Sequence, residues 1–557
     1  MNRQEALATL TAPGQPLEIV QANVYGNSCR IYKNAPSSLR ELFEQTLTDE
    51  TFIVFEGQRY SFKETWAMSS AIGKGLVCDY GVKKGDRVAI CMRNFPEWII
   101  AFQAITSIGA IAVAMNSLWQ AEEIDYGLQN SGCKLLIADQ ERFDLIVKAG
   151  IRLSCNSLLV RGDQHRDLPR WENLLEKFLG HSMPPATIAA TDDVIIMYTS
   201  GSTGHPKGVV SSHLAIMSAL LTWELAITSW LLMLDEIPPP SEHQPAGLLA
   251  VPLFHVTGCH AMFLMAFRSQ TKLVLMRKWD PQQAAQLIEK EKISSFTAPS
   301  AMTADLVHRA QQGGHDLSSL KMVGGGGAAR SPEQVRGIDA VFDNAMPNTG
   351  WGMTETNAIG TTIAGPNYLE RPGSSGQPAA ILDIRIADEE GNIMAAGERG
   401  EVQIRGASMF RGYWDNPEAT ASSYIDGWFK TGDVGYLDEE DYLYIVDRIK
   451  DMVIRGGENI GCGEVEAALL EHPKIREAAV YSVPDKRLGE EVGATIFTDG
   501  LEIDEAELRD FLATRLAKFK IPRYLQISDS LLPRTASEKI YKLHIRQQAI
   551  LMLKLDP

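Results

Sequence analysis

The segment Tyr198–Val210, YTSGSTGHPKGVV, places glycines, hydroxyl side chains and a lysine directly after an apolar run, Val194–Met197. Glycine lets a backbone approach an anion closely and adopt positive φ. Successive amide and hydroxyl groups in such a loop can surround phosphate oxygens, and Lys207 adds a positive charge. A Walker loop is excluded by the spacing, because Pro206 precedes Lys207 and Gly208 follows it. The segment predicts a phosphate-binding loop, with a solvated Gly/Ser hairpin loop as the alternative.

The size and composition are those of a soluble globular protein with two or more domains, since the chain has 557 residues, of which 45% are hydrophobic. The formal charge of −17 argues against nucleic acid as a partner. The seven cysteines are scattered without metal-like spacing, which indicates reduced thiols and a cytoplasmic location. The N-terminal residues lack the apolar core of a signal peptide.

Short apolar runs alternate with helical patterns over much of Met1–Asp433. Arg87–Cys91 precedes a predicted helix at Trp98–Ile111, and Lys272–Leu275 precedes one at Pro281–Glu291. Such alternation predicts an α/β fold in which parallel sheets are covered by helices. In sheets of this kind ligands bind beyond the carboxyl ends of the strands, where the predicted phosphate loop also lies.

From Asp383 onward the pattern changes to closely spaced strands and turns, followed by a small α+β domain. Within that domain, helices are predicted at Glu464–Glu471 and Glu505–Lys518. We therefore expect a large N-terminal domain over residues 1–447, a hinge at 448–450 and a mobile C-terminal domain over 451–557.

The apolar segment Leu214–Leu234 is long enough to suggest a membrane span. Glu224 lies near its middle, and a charge there would be costly in lipid. We expect a buried helix and no membrane span, followed by a solvated insertion at Asp235–Pro245.

The string Tyr198–Val210 resembles the phosphate loop of the acyl-adenylate-forming superfamily, which includes acyl-CoA synthetases, peptide-synthetase adenylation domains and luciferases. Further resemblances follow in family order along nearly the whole chain: PLFHVTG (Pro252–Gly258), a glycine turn (Gly324–Ala328), TGWGMTET (Thr349–Thr356), WFKTGDVG (Trp428–Gly435), DRIKDMVIRGGEN (Asp447–Asn459) and PRTASEKIYK (Pro533–Lys542). The resemblance implies a two-step ligase that joins a carboxylic acid to AMP, using ATP and Mg²⁺.

The resemblance also implies a nucleotide site. Asp433 would hold the ribose hydroxyls, Thr354 would contact phosphate, and Glu355 would bind Mg²⁺. Trp351 replaces the usual Tyr and would stack on adenine, while Thr349 replaces the usual Asn or Gln. The full set comprises Thr199, Ser200, Gly201, Ser202, Thr203, Gly204, Lys207, Gly326, Gly327, Ala328, Thr349, Gly350, Trp351, Gly352, Met353, Thr354, Asp433, Ile445, Arg448, Lys450, Gly456, Gly457 and Lys539.

On the acid side, His255 stands where the family places an aromatic or His gate to the carboxylate pocket, although a lone His is by itself more typical of a protein core. Adenylation domains for amino acids usually have Asp there, so the resemblance argues against an amino acid as the acid. The missing side chains of the glycine turn suggest an open acyl pocket. Its expected walls are Trp223, Phe254, His255, Cys259, Gly324, Gly325 and Met353, which favour an apolar acid.

Lys539 occupies the place of the catalytic lysine, which stabilises charge as pyrophosphate leaves. Glu538 replaces the glycine that usually precedes this lysine. Its carboxylate is expected to favour the ammonium form of Lys539, and its Cβ to disturb the loop.

For the second step the resemblance favours coenzyme A as acceptor, since Lys450 matches the family's hinge and Gly456 and Gly457 its thiol tunnel. Transfer to an amine, as in amide ligases of the coronafacate-ligase type, is the main alternative. A non-catalytic nucleotide or acyl binder is a further one, prompted by Glu538. Carrier-protein acylation and oxidative light emission complete the range, and dimers are common among relatives.

Overall fold

The computed structural model describes residues 1–165, 167–199, 206–234, 239, 241–328 and 330–553. Five predicted phosphate-loop residues, Ser200, Gly201, Ser202, Thr203 and Gly204, lie outside the described residues. The strands on either side of that loop are described, so the position of the loop's two ends is known.

The β-strands of the described chain fall into four larger sheets and a small hairpin. In chain order they are β1 (Ile19–Val24), β2 (Asn27–Tyr32), β3 (Thr51–Phe55), β4 (Gln58–Ser61), β5 (Arg87–Cys91), β6 (Ile111–Ala114), β7 (Leu135–Asp139), β8 (Asn156–Val160), β9 (Asp193–Thr199), β10 (Lys207–Ser212), β11 (Ala246–Leu249), β12 (Lys272–Leu275), β13 (Ser295–Thr297), β14 (Met322–Gly326), β15 (Met346–Trp351), β16 (Thr361–Ala364), β17 (Gln377–Pro378), β18 (Leu382–Ala387), β19 (Gly400–Gly406), β20 (Gly412–Tyr413), β21 (Tyr424–Ile425), β22 (Trp428–Leu437), β23 (Leu443–Arg448), β24 (Val453–Arg455), β25 (Glu458–Ile460), β26 (Glu477–Asp485), β27 (Gly489–Phe497) and β28 (Tyr524–Ser528).

The α-helices cover the faces of these sheets. In chain order they are α1 (Arg3–Leu10), α2 (Leu39–Gln45), α3 (Phe62–Cys78), α4 (Pro96–Ser107), α5 (Ala121–Ser131), α6 (Gln140–Lys148), α7 (Trp171–Phe178), α8 (His213–Met233), α9 (Met265–Arg268), α10 (Pro281–Glu291), α11 (Ser300–Gln311), α12 (Pro332–Val341), α13 (Gly365–Glu370), α14 (Pro417–Ser422), α15 (Cys462–Leu470), α16 (Glu505–Ala513) and α17 (Lys542–Met552). A π-helix spans Thr257–Leu264, and 3₁₀ turns span Thr354–Thr356 and Lys518–Lys520.

Two large sheets form the body of the N-terminal region. One has the strand order β20-β10-β9-β6-β5-β7-β8, and the other the order β17-β16-β15-β14-β13-β11-β12-β3-β4. Both are parallel in their centres, as in the pairs β5–β6 and β13–β14. The first sheet has antiparallel strands at its β20 end, and the second has them at both ends. The predicted fold class is therefore confirmed, with antiparallel edges that the apolar alternation did not indicate.

One continuous hydrophobic core connects the two sheets. Every residue of α4 except Glu97 is buried, because the helix lies between layers and contacts apolar side chains on both sides. Trp98 and Phe102 stack at 5.5 Å within it. This core holds the carboxyl ends of both sheets in fixed positions, and these ends carry the site residues.

The chain changes sheets at the predicted hinge. β23 pairs with β22 in a third sheet, whereas β24 pairs with β25 and β27 in the C-terminal sheet. The C-terminal sheet has its own apolar core, with Val465, Val480 and Leu508 among its buried residues. The intervening segment is a turn in which Asp451 and Met452 donate backbone hydrogen bonds to the carbonyl of Arg448.

The helix predicted at Glu505–Lys518 is shorter than expected, since α16 ends at Ala513. Leu516 is still buried, but the chain reaches that position through a tight turn that follows the helix. Apolar residues continue at helical spacing past Ala513, where the backbone is no longer helical, and the predicted helix was therefore too long.

The long apolar helix α8 satisfies the length and composition of a membrane span, and half of its most apolar window is buried within the protein. Glu224, at its middle, accepts a hydrogen bond from Arg268 Nε at 2.9 Å. Thr222 is hydrogen-bonded to Tyr32 at 3.1 Å. Glu224 and Thr222 therefore have partners inside the fold, as expected for a helix packed against other protein elements.

Candidate active site

The two ends of the predicted phosphate loop meet in the antiparallel pair β9–β10, where Thr199 lies opposite Lys207. Lys207 Nζ lies 5.1 Å from the ring centroid of Tyr413. The Tyr413 hydroxyl donates a hydrogen bond to Glu355 Oε1 at 2.9 Å. Tyr413 thus joins the loop to the motif that contains Glu355. Sequence reasoning missed it, although it lies in the distinctive string GYWDNPEAT, Gly412–Thr420.

Glu355 is a buried carboxylate in the 3₁₀ turn that follows β15. Burial raises its pKa, against the opposing effect of the Tyr413 hydrogen bond. Among the described residues, no basic side chain lies within ion-pair distance of it, and no cluster of three or more metal-ligating side chains occurs. A single unpaired carboxylate fits a divalent cation whose other ligands are phosphate oxygens and water.

Asp433, on β22, is buried and held at both carboxylate oxygens. Trp351 Nε1 donates to Oδ2 at 2.8 Å, and Arg448 Nε lies 2.8 Å from Oδ1. Burial raises the pKa of Asp433, while Arg448 and the Trp351 hydrogen bond lower it. The indole of Trp351 therefore orients this carboxylate, a role that its expected stacking function did not include.

Lys539 reaches into the cleft of the N-terminal region from a hairpin of the C-terminal domain. The hairpin is closed by the antiparallel bridge Arg534–Ile540 and by Thr535 N, which donates to Lys539 O at 2.7 Å. Lys539 Nζ lies 3.3 Å from the point that a Cβ on Gly327 would occupy. Burial lowers the pKa of Lys539 to about 8; the nearby Arg448 charge adds to this effect and Asp433 opposes it.

His255 lies close enough to Lys539 to be affected by its charge. Burial, with a further contribution from the charge of Lys539, lowers its pKa to about 3. Its Nε2 has no hydrogen-bond partner among the described residues. A neutral imidazole with a free nitrogen thus lines the cleft on the side of Lys539.

Glu538 adopts φ +60, the left-handed conformation that glycine favours. Its carboxylate lies 3.7 Å from Arg534. Burial and Arg448 lower the pKa of Lys539 while Asp433 opposes them, so the expected effect of Glu538 on the ammonium form of Lys539 stays a prediction. The residue keeps the backbone shape of the usual glycine and directs its charge to Arg534.

One cleft of about 3640 Å³ collects most of the predicted nucleotide residues from both domains. Those that line it are Thr199, Lys207, Gly326, Gly327, Ala328, Thr349, Gly350, Trp351, Gly352, Met353, Thr354, Glu355, Asp433, Ile445, Arg448, Lys450 and Lys539. Thr349 donates its hydroxyl hydrogen to Gly325 O at 2.8 Å, so this side chain is already engaged within the protein.

The predicted acyl-pocket walls divide into two groups. Trp223, His255, Gly325 and Met353 line the cleft, whereas Phe254, Cys259 and Gly324 do not. Phe254 and Cys259 are buried in the central hydrophobic core, so their expected placement was wrong. Phe254 precedes the π-helix and Cys259 lies within it, and both side chains pack into the core.

The glycine turn serves strand packing rather than pocket space. A Cβ on Gly324 would lie 2.1 Å from the backbone oxygen of Asn348, and one on Gly325 would lie 2.2 Å from that of Ala298. These glycines allow neighbouring strands and loops to approach closely, which corrects the inference that they leave an open acyl pocket.

Gly456 and Gly457 form the turn between β24 and β25, with φ +60 and +92. Neither lines the cleft in this structure. A Cβ on Gly457 would meet no heavy atom within 4 Å. The predicted thiol-tunnel residues are therefore separated from Lys539 in the present arrangement of the domains.

Comparisons with known proteins agree with this site. The model of the AMP-binding enzyme family matches residues 40–414, and that of the AMP-binding enzyme C-terminal domain matches residues 464–539. The chain is 32% identical over 492 residues to the long-chain-fatty-acid–CoA ligase FadD13 of Mycobacterium tuberculosis, covering 87% of this chain and 93% of that protein. It is 34% identical over 476 residues to a feruloyl-CoA synthase of Amycolatopsis, covering 84% and 90%.

Among solved structures, the fold is similar to o-succinylbenzoate CoA synthetase (MenE) of Bacillus subtilis in complex with its acyl-adenylate intermediate. The TM-score is 0.76 at 27% sequence identity, over 92% of this chain and 98% of that one. The chain belongs to the AMP-binding enzyme family of acyl-adenylate-forming ligases. Its enzyme class is that of an AMP-forming carboxylate ligase, as the resemblance implied.

Replacing Gly324 with Ala should destabilise the N-terminal domain by about 1–3 kcal/mol, because the added methyl group would overlap the Asn348 backbone oxygen in the adjacent strand. Gly373→Ala is the matched control, since a Cβ there would meet no heavy atom within 4 Å and its φ is not positive. Thermal unfolding followed by circular dichroism compares the two. Equal melting temperatures would contradict the packing role of Gly324.

Proposed function

We propose that this protein joins an apolar carboxylic acid to AMP with release of pyrophosphate, and then transfers the acyl group to coenzyme A. The observation that carries the proposal is the position of Lys539, a C-terminal residue buried beside Gly327 and within electrostatic reach of Asp433 and Arg448. Such a cation is placed to neutralise charge that develops between a carboxylate and a phosphate. The Lys207–Tyr413–Glu355 connection supplies the opposite wall.

The nucleotide would lie across the carboxyl ends of β9, β14 and β15. Lys207, Thr199 and the adjoining loop would hold the triphosphate, and Gly326–Ala328 with Thr349–Gly352 would border the base. Asp433 would bind the ribose hydroxyls, since Trp351 and Arg448 fix its orientation but leave further lone pairs on both oxygens free. Arg448 would also contact ribose or phosphate.

Glu355 would hold Mg²⁺, with Thr354 beside it at the phosphates. When bound, this cation would neutralise phosphate charge and orient the oxygens around it. The fit rests on the burial of Glu355 and on the lack of a basic partner among the described residues.

In the first step a carboxylate oxygen of the acid attacks the α-phosphorus, and the bond to the pyrophosphate oxygen breaks. Lys539 lies between the two reacting anions and stabilises the charge on both. His255, neutral and without a hydrogen-bond partner at Nε2, would border the carboxylate pocket. Positioning and charge stabilisation account for most of the catalysis in phosphate transfer of this kind.

In the second step the C-terminal domain would rotate about Lys450, withdraw Lys539 and present Gly456 and Gly457. The thiolate of coenzyme A would attack the acyl carbon, and AMP would leave with the bonding electron pair. The exposed turn at Lys450 and the glycine turn with open space around Gly457 support this proposal. They also support the domain division at 1–447, 448–450 and 451–557.

An apolar acid is favoured by the character of the cleft wall formed by α8 and the π-helix. Trp223, Ile227, Trp230, Met262 and Met265 line it. Relatives with 30% identity or more are named for long-chain fatty acids, ferulate and 2-succinylbenzoate. Most of these acids carry a substantial apolar portion, which matches the lining.

A panel of aliphatic and aromatic acids, incubated with the protein, ATP and Mg²⁺, should yield AMP and pyrophosphate, and addition of coenzyme A should yield an acyl thioester by mass spectrometry. Failure to form AMP with any acid would favour a non-catalytic binder. AMP formation that free amino acids stimulate and coenzyme A does not, with an amide product, would establish the amine as acceptor.

Lys539→Ala should reduce adenylation by about 10²- to 10³-fold, since it removes the charge that stabilises the departing pyrophosphate. The same variant should form thioester normally from a preformed acyl-adenylate. Pyrophosphate release and thioester formation, measured separately, provide the test. Lys518→Ala is the control, because that lysine is exposed on the same domain. Equal loss in both half-reactions would contradict a role confined to adenylation.

The adenylation kcat/KM should fall above about pH 8. Burial lowers the pKa of Lys539 to about 8, so its ammonium form is present below that pH and is lost as the pH rises. Well above the pKa the loss should approach about tenfold per pH unit. Pyrophosphate release between pH 6 and 10 measures it. Lys539→Arg should remove this alkaline decline, because a guanidinium stays charged; an unchanged profile would attribute the decline to another group.

A further inference from the structure

Arg534 connects the Lys539 hairpin to the N-terminal domain. Its Nη1 donates to Asp305 Oδ2 at 2.9 Å and its Nη2 to Asp305 Oδ1 at 3.4 Å. Nη2 also donates to Glu477 Oε1 at 2.6 Å, within the C-terminal domain. One guanidinium therefore bridges carboxylates of two domains, and the side chains of Arg534 and Asp305 are only 12% and 9% exposed. Buried, two-point ion pairs of this type constrain geometry far more than exposed ones.

Asp305 is held rigidly on the N-terminal side. It lies on α11, and Trp279 Nε1 donates to its Oδ2 at 3.0 Å. Trp279 is itself fixed by stacking on Phe296 at 5.3 Å. The carboxylate that receives Arg534 is thus anchored to the same sheet region that carries the glycine turn.

The backbone of Arg534 belongs to the hairpin that presents Lys539. Arg534 and Ile540 form a β-bridge, and Tyr541 N donates to Pro533 O at 2.7 Å. Only four residues separate Arg534 from Lys539. A constraint on the guanidinium is therefore transmitted directly to the depth at which Lys539 enters the cleft.

The geometry points to Asp305 and Arg534 as positioning residues, which form an interdomain latch that holds Lys539 in the cleft for adenylation and opens for thioester formation. This inference rests on the proposed function. Neither residue is assigned a contact with the reacting atoms, because the two side chains form an ion pair with each other. Their effect on adenylation is exerted through the position of Lys539.

When the Asp305–Arg534 pair separates, each of the two charged side chains keeps another partner. After separation Arg534 retains Glu477 and the nearby Glu538, whose carboxylate lies 3.7 Å away. Asp305 retains the Trp279 hydrogen bond. A buried charge without any partner is costly, and these contacts lower that cost in the open state. They also give the unusual Glu538 a physical role.

Asp305→Asn tests the latch, because it removes the charge of the carboxylate and keeps an oxygen for Trp279. Adenylation kcat/KM should fall about ten- to a hundredfold, the value of a hydrogen-bonded charge pair. Thioester formation from a preformed acyl-adenylate should be unchanged or faster. Asp316→Asn is the matched control, since Asp316 pairs with Lys292 inside one domain and is exposed. Equal loss in both half-reactions, or no loss of adenylation, would refute the latch.

Hydrogen–deuterium exchange of the substrate-free protein separates this inference from the proposed function. In Asp305→Asn the hairpin 533–541 should exchange faster than in the wild type, whereas α11 should keep its protection and Asp316→Asn should change neither. Unchanged hairpin exchange would overturn the latch whatever the enzyme's activity. Faster hairpin exchange in a protein that forms no AMP with any acid would instead retain the latch and reject the ligase function.

Discussion

The burial of Lys539 beside Arg448 is the constraint on which the rest of the site depends. Burial, with the nearby charge of Arg448, lowers the pKa of Lys539 to about 8. Asp433 offsets this only in part, because Trp351 and Arg448 already engage its oxygens. The cleft is therefore favourable for polyanions. A triphosphate and a carboxylate are ligands that would raise the pKa of Lys539 and offset the repulsion between the two cations.

The fold brings these charged side chains together from several different strands. β9 and β10 carry Thr199 and Lys207, β15 leads into Glu355, and β22 carries Asp433. β9 packs into the continuous core that contains α4, whereas β10 and β22 pack into a neighbouring core through Val209 and Phe429, against which Trp351 also packs. The C-terminal domain has a separate core and reaches the cleft through one hairpin and one turn. This division of the apolar interior supports the proposed rotation of the C-terminal domain against the N-terminal one.

Sequence patterns predicted the elements whose apolar period is clear, such as β5, β12 and α10, and the motifs that meet at the cleft. They failed where orientation decides the outcome: Phe254 and Cys259 adjoin a binding motif but turn into the core. Glu538 was expected to act on Lys539 because the two residues are adjacent in sequence. Its carboxylate instead lies 3.7 Å from Arg534. No sequence pattern indicated a role for Asp305, because its partner Arg534 lies 229 positions away in the chain.

In the proposed mechanism, loss of pyrophosphate supplies a reason for the C-terminal domain to move. While the triphosphate is bound, Lys539 and the latch would both favour the closed arrangement. Once pyrophosphate leaves, the anionic charge near Lys539 falls, and the ammonium again lies desolvated beside Arg448. The closed state would then depend on the contacts of Asp305 with Arg534 and with Arg476, whose Nη2 lies 3.8 Å from Oδ1, and Asp305 and Arg534 have partners elsewhere when the domains separate. The chemistry of the first step thereby weakens the arrangement that performed it, and the second step can begin without a separate signal.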